Sequence, residues 1–200
     1  MIKYPNGGPS IKTDRSNKNK TSNRTNLGMN LEKDVEISSK YFIDHNQAIF
    51  YKKPTPIHVY KVSHDNSHQI TEAYYDKKST TDYNGLYREK YIDFECKETK
   101  TKTLPIDRLS KHQVEHLYRV KRLGGIAFFL VRFNTLDETY IFDIDHVIDF
   151  IKLNDKQSFS YNDIKTKGYL VTKSYSPRLE LLKGLDEAYF SDEDKQEEDY

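Results

Sequence analysis

Three segments of the chain show the three-to-four-residue periodicity of a helix that packs by one face. They cover about residues 30–46, 110–123 and 145–153. In the first segment Leu31, Val35 and Phe42 share a face, and Asn30 is a suitable N-terminal cap. Gly124 directly follows the second segment, which is typical of a helix end. The pattern therefore predicts three amphipathic helices.

Segments of strand length lie between these predicted helices. They cover residues 48–52, 57–62, 69–75, 81–97, 126–133 and 139–142. The nearly continuous apolar run 126–133 predicts a central strand that is buried on both faces. The helix between 91–97 and 126–133 predicts a right-handed crossover, which would make those two strands parallel. The order of elements predicts an α/β fold with a mixed central β-sheet flanked by helices.

Charge is distributed unevenly along the chain. It has 200 residues with 32 Lys and Arg against 31 Asp and Glu, a net charge of +1. Residues 1–29 are polar and hold six Lys or Arg and one Asp, which predicts a flexible basic arm. Residues 191–200 predict an acidic tail, and residues 30–190 a single folded domain. A basic arm is typical of proteins that bind polyanions.

Several classes of protein are poor matches to this composition. The single cysteine, Cys96, excludes an intramolecular disulfide framework and a cysteine-based zinc ribbon. No apolar run reaches the ~20 residues of a membrane span, and the N-terminus lacks the apolar stretch of a signal peptide. We therefore expect a cytoplasmic protein without a membrane partner.

The segment 90–98 alternates strictly, as a strand with two different faces does. One face carries Ile92, Phe94 and Cys96, and the other carries Asp93, Glu95 and Lys97. Carboxylates suit Mg²⁺ or Mn²⁺, and an ammonium beside them can hold a water nucleophile or offset charge on a phosphate. Because opposite charges often share an exposed strand face, this spacing alone leaves a surface ion pair and a catalytic pair both open.

Asp82 is the candidate for a second carboxylate at such a site. If Asp82 faces Glu95 in antiparallel strands, the turn centre falls between Arg88 and Glu89. Asn84-Gly85 is a stronger local hairpin signal, and a turn there would leave Glu95 roughly 27 Å away. The catalytic interpretation therefore predicts that Asn84-Gly85 forms a bulge or bend.

Two histidines, His112 and His116, lie four residues apart on the second predicted helix, as zinc ligands often do. The zinc-protease pattern requires Glu directly after the first histidine, whereas this chain has Gln113, and no third ligand is evident. The sequence therefore favours partly exposed histidines or contacts to DNA phosphates over a zinc site.

Several longer motifs resemble the RecU family of Holliday junction resolvases. They are MIKYPNG at 1–7, KKPTP at 52–56, STTDYNG at 79–85, YIDFECKETK at 91–100, HQVEH at 112–116 and GGIAF at 124–128. The resemblance runs to about residue 190. It implies a PD-(D/E)xK nuclease-like fold in which residues 57–75 form a projecting β stalk that enters the junction. The low aliphatic content of that segment agrees with a projecting element.

The resemblance implies an enzyme that resolves four-way DNA junctions in recombination and repair. Such an enzyme works as a homodimer and makes paired symmetric nicks by Mg²⁺-dependent phosphodiester hydrolysis, with Mn²⁺ as a substitute. By position, Asp82 and Glu95 match the metal ligands, Thr80 and Gln113 match supplementary metal-site residues, and Lys97 matches the lysine that stabilises the transition state. Cleavage would leave 5′-phosphate and 3′-hydroxyl ends.

Six basic residues are predicted to contact DNA. They are Lys12, Arg15, Lys18, Lys20 and Arg24 in the arm, and Lys61 in the stalk. A RecA-type recombinase is a candidate partner, and the protein would associate with the nucleoid when it binds DNA. Two alternatives stay open: a non-catalytic junction-binding recombination partner, and a PD-(D/E)xK nuclease that acts on other DNA structures.

The chain departs from the family pattern at three positions. Cys96 stands where alanine is usual, Glu89 where glycine is usual, and Leu27 where arginine is usual. Cys96 should be tolerated because it points away from Lys97. Glu89 predicts a differently shaped turn, and Leu27 puts one contact of the arm in doubt.

Overall fold

The computed structural model describes residues 29–63, 69–75, 80–153 and 156–191. Five α-helices lie within these ranges: α1 Met29–Asp44, α2 Lys111–Arg122, α3 Ile144–Leu153, α4 Tyr161–Lys167 and α5 Leu181–Leu185. The same ranges contain ten strands: β1 Ile49–Lys52, β2 Ile57–Val62, β3 Ile70–Tyr75, β4 Tyr83–Tyr87, β5 Lys90–Thr99, β6 Thr103–Pro105, β7 Ile126–Phe133, β8 Glu138–Asp143, β9 Ser158–Ser160 and β10 Tyr169–Val171. A 3₁₀ turn precedes α2, and a π-helical turn, Asp186–Phe190, follows α5.

The main sheet has the strand order β1-β4-β5-β7-β8-β10. Strands β5 and β7 are parallel and are connected through α2, whereas the other neighbours are antiparallel. Helices α1 and α5 cover one face of the sheet, and α2, α3 and α4 cover the other. The predicted mixed sheet flanked by helices, with a parallel pair made by the crossover, is therefore confirmed.

Strand β7 is the centre of the fold. Each of its eight residues is buried, because apolar layers cover both faces of the sheet at this strand. Aromatic rings cross the sheet at the same level: the ring centroids of Phe94 and Phe128 lie 5.0 Å apart, and those of Tyr83 and Phe94 lie 5.1 Å apart. This packing fixes β5 firmly between β4 and β7.

Helix α1 buries the face that the sequence predicted, with Leu31, Val35 and Phe42 almost completely inaccessible. The predicted cap is wrong, because the helix begins at Met29 and Asn30 lies inside it. Glu98 of β5 instead accepts a hydrogen bond from the N–H of Leu31 at 3.0 Å. A carboxylate from the sheet thus satisfies a donor in the first turn of the helix.

The β4–β5 hairpin has the register that the catalytic interpretation required. Tyr83 pairs with Phe94, and the turn is Arg88-Glu89, where both residues have positive φ, 43° and 61°. The predicted bulge or bend at Asn84-Gly85 is wrong, because pairing continues through β4 without a shift. A Cβ at Gly85 would lie 1.8 Å from the carbonyl oxygen of Ile49. Glycine is therefore required here by the close approach of β1, and not by a turn.

Strands β2 and β3 form a separate two-stranded antiparallel sheet. Every residue of both strands is exposed, in contrast to β7. This exposure is in line with a stalk, whose projection stays a prediction. None of the helices in the described ranges is long and apolar enough to cross a bilayer.

Candidate active site

Three elements bring the predicted catalytic residues together. Glu95 and Lys97 lie on the polar face of β5, and α2 packs over that face with Gln113 in its first turn. Asp82 lies directly before β4, where the antiparallel register brings it beside the same part of β5. The long β4–β5 hairpin and the crossover through α2 therefore build the site.

Glu95, Lys97 and Gln113 form a closed triangle of hydrogen bonds. The Lys97 Nζ donates to Glu95 Oε1 at 2.7 Å and to Gln113 Oε1 at 3.2 Å. The Gln113 Nε2 donates to the same Glu95 oxygen at 2.7 Å. Asp82 joins the group through the backbone, since its Oδ2 accepts from the N–H of Cys96 at 2.9 Å. The Cys96 side chain packs on the opposite face of the sheet, as predicted.

One buried oxygen of this group has no hydrogen-bond donor. Glu95 Oε2 is one of four buried side-chain atoms without a hydrogen-bond partner in the described residues; the others belong to Ser39, Glu98 and Arg132. Glu98 and Arg132 have opposite charges and lie 3.8 Å apart. Glu95 instead neighbours Asp82, a second carboxylate, in addition to Lys97. A cation beside Glu95 Oε2 would satisfy the oxygen and reduce the repulsion between the two carboxylates.

The pKa values of both carboxyl groups are raised. Burial raises the pKa of Glu95 to about 7, and the charge of Asp82 adds to this, while Lys97 and Gln113 oppose it. Burial also raises the pKa of Asp82, against the stabilising N–H of Cys96. Neighbouring carboxyl groups with raised pKa values are frequent at functional sites.

A second polar cluster lies on the same face of β5. Asp93 is completely buried, and its Oδ2 lies 2.6 Å from Lys53 Nζ, 2.9 Å from the Tyr91 hydroxyl and 3.0 Å from His116 Nε2. The Thr81 hydroxyl donates to its other oxygen, Oδ1. We call Asp93 with these four partners the Asp93 anchor.

Sequence reasoning placed Asp93 on the correct face but assigned it no role. The alternation of β5 could have suggested one, since Asp93 precedes Glu95 by two residues. His116 is a quarter exposed, in line with the expected partly exposed histidine, and its Nε2 lies 3.0 Å from Asp93 Oδ2; its contact to DNA phosphate stays a prediction. Within the described ranges, no group of three or more His, Cys, Asp or Glu side chains is arranged to hold a metal. His112 and His116 are therefore not part of such a group.

Two other predicted site residues have different surroundings. Thr80 is exposed, and its hydroxyl lies 3.2 Å from Lys53 Nζ, which belongs to the Asp93 anchor. Lys61 lies on β2, 3.6 Å from Glu72, and both side chains are more than half exposed. The five predicted DNA contacts in the arm fall outside the described residues, as do Leu27 and nine residues of the acidic tail.

The chain matches the model of a known protein family over most of its length. The model described as RecU, Recombination protein U, matches residues 26–187. The chain belongs to the RecU family. This confirms the resemblance noted on the motifs, and the match contains Asp82, Glu95, Lys97 and Gln113.

Curated RecU proteins are similar to the chain over nearly its whole length. The Holliday junction resolvase RecU of Geobacillus sp. (strain WCH70) is 39% identical over an alignment of 200 residues. This alignment, with its gaps, covers 96% of this chain and 99% of the relative. The RecU resolvase of Bacillus cereus (strain G9842) is 39% identical, with 95% and 99% covered. That of Oceanobacillus iheyensis is 39% identical, with 94% and 100% covered.

Among solved structures, the chain is similar to Hjc, a Holliday junction resolvase from the archaeal hyperthermophile Archaeoglobus fulgidus. The TM-score is 0.40 at 14% sequence identity, and the match covers 67% of this chain and 93% of Hjc.

Proposed function

We propose that this RecU-family protein is an endonuclease that resolves four-way DNA junctions by paired nicks, with Asp82, Glu95 and Lys97 as its catalytic residues. The observation that carries the proposal is the buried Glu95 Oε2, which lacks a donor beside a second carboxylate. A structural ion pair between Glu95 and Lys97 would need neither Asp82 nor this open oxygen. The motif resemblance and the names of the curated relatives support junction DNA as the substrate.

The available oxygens fit Mg²⁺, with Mn²⁺ as a substitute. Mg²⁺ binds to one or two protein carboxylates and keeps several waters, so Asp82 and Glu95 suffice as charged ligands. The amide oxygen of Gln113 and the backbone carbonyl of Thr80, or a water that it holds, are the proposed supplementary ligands. Two carboxylates and the ammonium of Lys97 leave the group one negative charge in excess, which a divalent cation would reverse.

Each residue has a separate task in the proposed hydrolysis. When bound, the cation supplies a Lewis acid that acidifies water and offsets charge on the phosphate. Lys97 already lies beside Glu95 and Gln113, so its ammonium can orient the attacking water or stabilise the additional negative charge of the transition state. Gln113 fixes both Lys97 and Glu95. In-line attack would leave 5′-phosphate and 3′-hydroxyl ends.

The proposal also includes a homodimer, because two sites related by a twofold axis match the twofold symmetry of a junction and its paired nicks. The basic arm and Lys61 are the proposed contacts to the DNA backbones. A RecA-type recombinase remains the candidate protein partner, and the nucleoid the proposed place of action.

Cleavage of a labelled, immobile four-way junction tests the proposal, with and without Mg²⁺. We expect paired, ligatable nicks that require the cation, and a loss of roughly 10²–10³ in rate for Lys97→Ala. Lys121→Ala is the matched control, since Lys121 is also partly buried and lies 2.8 Å from a carboxylate, Asp143, away from the site. It should cleave at the wild-type rate.

Two outcomes would overturn the proposal. Tight junction binding without cleavage in either Mg²⁺ or Mn²⁺ would indicate a non-catalytic recombination partner. Equal cleavage rates on the junction and on a linear duplex of the same sequence would indicate a nuclease for other DNA structures.

A further inference from the structure

The Asp93 anchor lies beside the proposed metal site but holds none of its ligands directly. Both oxygens of Asp93 have hydrogen-bond partners, so this carboxylate is not available to a cation in the way that Glu95 is. Its side chain has zero exposure. A carboxylate so deeply buried would be strongly unfavourable without such partners.

One side of the anchor holds the loop that precedes β4. The Lys53 Nζ lies 2.6 Å from Asp93 and from the Thr81 hydroxyl, and 3.2 Å from the Thr80 hydroxyl. The Lys53 backbone N–H donates to the carbonyl oxygen of Asp82 at 2.7 Å. Lys53 therefore contacts three consecutive residues, of which Thr80 and Asp82 are proposed metal ligands. Asp93 fixes both Lys53 and Thr81, and through them this loop.

The other side of the anchor holds α2. His116 follows Gln113 by three residues, so both lie on the helix face that is turned toward β5. His116 meets Asp93 at 3.0 Å, and Gln113 meets Glu95 at 2.7 Å. These two contacts lie one turn apart on the helix and two residues apart on the strand. Together they fix the register of α2 against β5. The position of Gln113 therefore depends on Asp93 as well as on Glu95.

The anchor also ties together the two ends of the segment that contains β2 and β3. Lys53 directly follows β1, where the chain leaves the main sheet, and Thr80 and Thr81 lie where it returns. The contacts between Lys53 and these threonines close the base of that segment. The loop of residues 80–82, which carries two proposed metal ligands, and the base of the β2–β3 segment are therefore one hydrogen-bonded unit centred on Asp93.

We infer that Asp93 is a positioning residue of the metal site: it holds the Thr80–Asp82 loop through Lys53 and Thr81, and Gln113 through His116. This inference rests on the proposed function of the site. Side chains that orient metal ligands typically contribute 10- to 100-fold to metal affinity or activity. Asp93 acts on the proposed ligands only through these contacts, so its loss should weaken cation binding and leave DNA binding intact.

The test compares full-length Asp93→Asn with wild type by three measurements. They are Mn²⁺ affinity without DNA by calorimetry, junction affinity in EDTA, and single-turnover cleavage of saturating junction. We expect Mn²⁺ affinity to fall about 10- to 100-fold, cleavage to fall by a similar factor and recover partly at high Mn²⁺, and junction affinity to stay within about twofold. A purely structural role would not move the Mn²⁺ dependence.

Glu98→Gln is the matched control. Glu98 is a buried carboxylate of the same strand with Arg132 as its cationic neighbour, but it faces α1. Its Mn²⁺ affinity and cleavage rate should equal those of wild type even if its melting temperature falls. Thr81→Val is the second variant, because it removes the hydroxyl at nearly constant volume. It should weaken Mn²⁺ binding, and combining it with Asp93→Asn should add little to the effect of Asp93→Asn.

The outcomes separate this inference from the proposed function. If Asp93→Asn is folded and binds Mn²⁺ as wild type does, the inference is wrong, whatever the cleavage result. If Asp93→Asn does not fold, an unchanged Mn²⁺ affinity of Thr81→Val would overturn it instead. If wild type binds Mn²⁺ but cuts no junction, the proposed function fails, while the calorimetry still decides the role of Asp93.

Discussion

Asp93 and Glu95 are two buried carboxylates on the same face of the same strand, yet their surroundings differ. Both oxygens of Asp93 are bonded, whereas one oxygen of Glu95 has no donor. Asp93 faces one ammonium, that of Lys53, while Glu95 shares Lys97 with Asp82. Burial and charge therefore do not by themselves distinguish a ligand from a support. The distinguishing features are an oxygen without a donor together with a second carboxylate beside it, since Glu98 also has an open oxygen but lies 3.8 Å from Arg132.

The largest expected effect is the loss of cleavage in Glu95→Gln. The amide keeps the size of the side chain but removes a charged ligand, so we expect a loss of about a thousandfold or more in cleavage rate, about 4 kcal/mol of transition-state stabilisation. Single-turnover cleavage of the four-way junction in Mg²⁺ measures it. Junction affinity in EDTA should not fall, and a fall of the same size would mean that Glu95 acts in DNA binding instead.

The pH dependence of stability provides the next largest effect. The pKa of Glu95 in the folded chain is raised from 4.5 to about 7, so between these values the folded state holds a proton that the unfolded state has lost. The free energy of unfolding should therefore fall as pH rises from about 4.5 to 7, by roughly 1–3 kcal/mol. Urea unfolding in EDTA at several pH values measures this slope.

Glu95→Gln provides the control for that slope, since it removes the titrating group. Its stability should change less than that of wild type over the same pH range, and Mg²⁺ should raise the stability of wild type most at the upper end. The assigned pKa shift would be contradicted if the stability of wild type rose between pH 4.5 and 7 and that of Glu95→Gln changed with pH in the same way.

The smallest expected effect concerns the turn that sets the register of both carboxylates. Glu89 has φ of 61°, a conformation that costs a residue with a Cβ more than it costs glycine. Glu89→Gly should raise the free energy of unfolding by about 0.5–1 kcal/mol without a change in cleavage. Chemical denaturation measures the gain.

Arg88 is the matched position in the same turn, with φ of 43°. Its guanidinium lies 3.2 Å from Asp186 and 5.3 Å from the centre of the Phe190 ring, contacts that Arg88→Gly would remove. Arg88→Gly should therefore raise the free energy of unfolding by less than Glu89→Gly does, or lower it. Equal gains at both positions would show that these contacts contribute nothing.

Long periodic elements could be predicted from the sequence, and so could the proposed catalytic group. The alternation of 90–98 assigned Glu95 and Lys97 to one face, and the pairing argument placed the turn at Arg88-Glu89 against the stronger local signal. The Asn84-Gly85 pair was misleading because the sequence does not distinguish a glycine that makes room for a neighbouring strand from a glycine that forms a turn. Only the position of β1 distinguishes the two.

Five short elements, each of three to seven residues, escaped prediction because they show too little periodicity to be recognised. They are β6, β9, α4, β10 and α5. The Asp93 anchor escaped for another reason. Its members come from the end of β1, the loop before β4, β5 and α2, separated by up to 63 residues in sequence. No local pattern joins them, so only the folded topology reveals the cluster.

The β2–β3 hairpin has a consequence for how the energy of DNA binding is used. A two-stranded hairpin without a buried face is at best marginally stable in water. Its strands bury no residue, so its local opening should cost far less free energy than opening of the main sheet. Contact with DNA would then help to order the hairpin. Part of the binding free energy of a fitting substrate would be used to stabilise the base of the hairpin, beside Lys53 and Thr80.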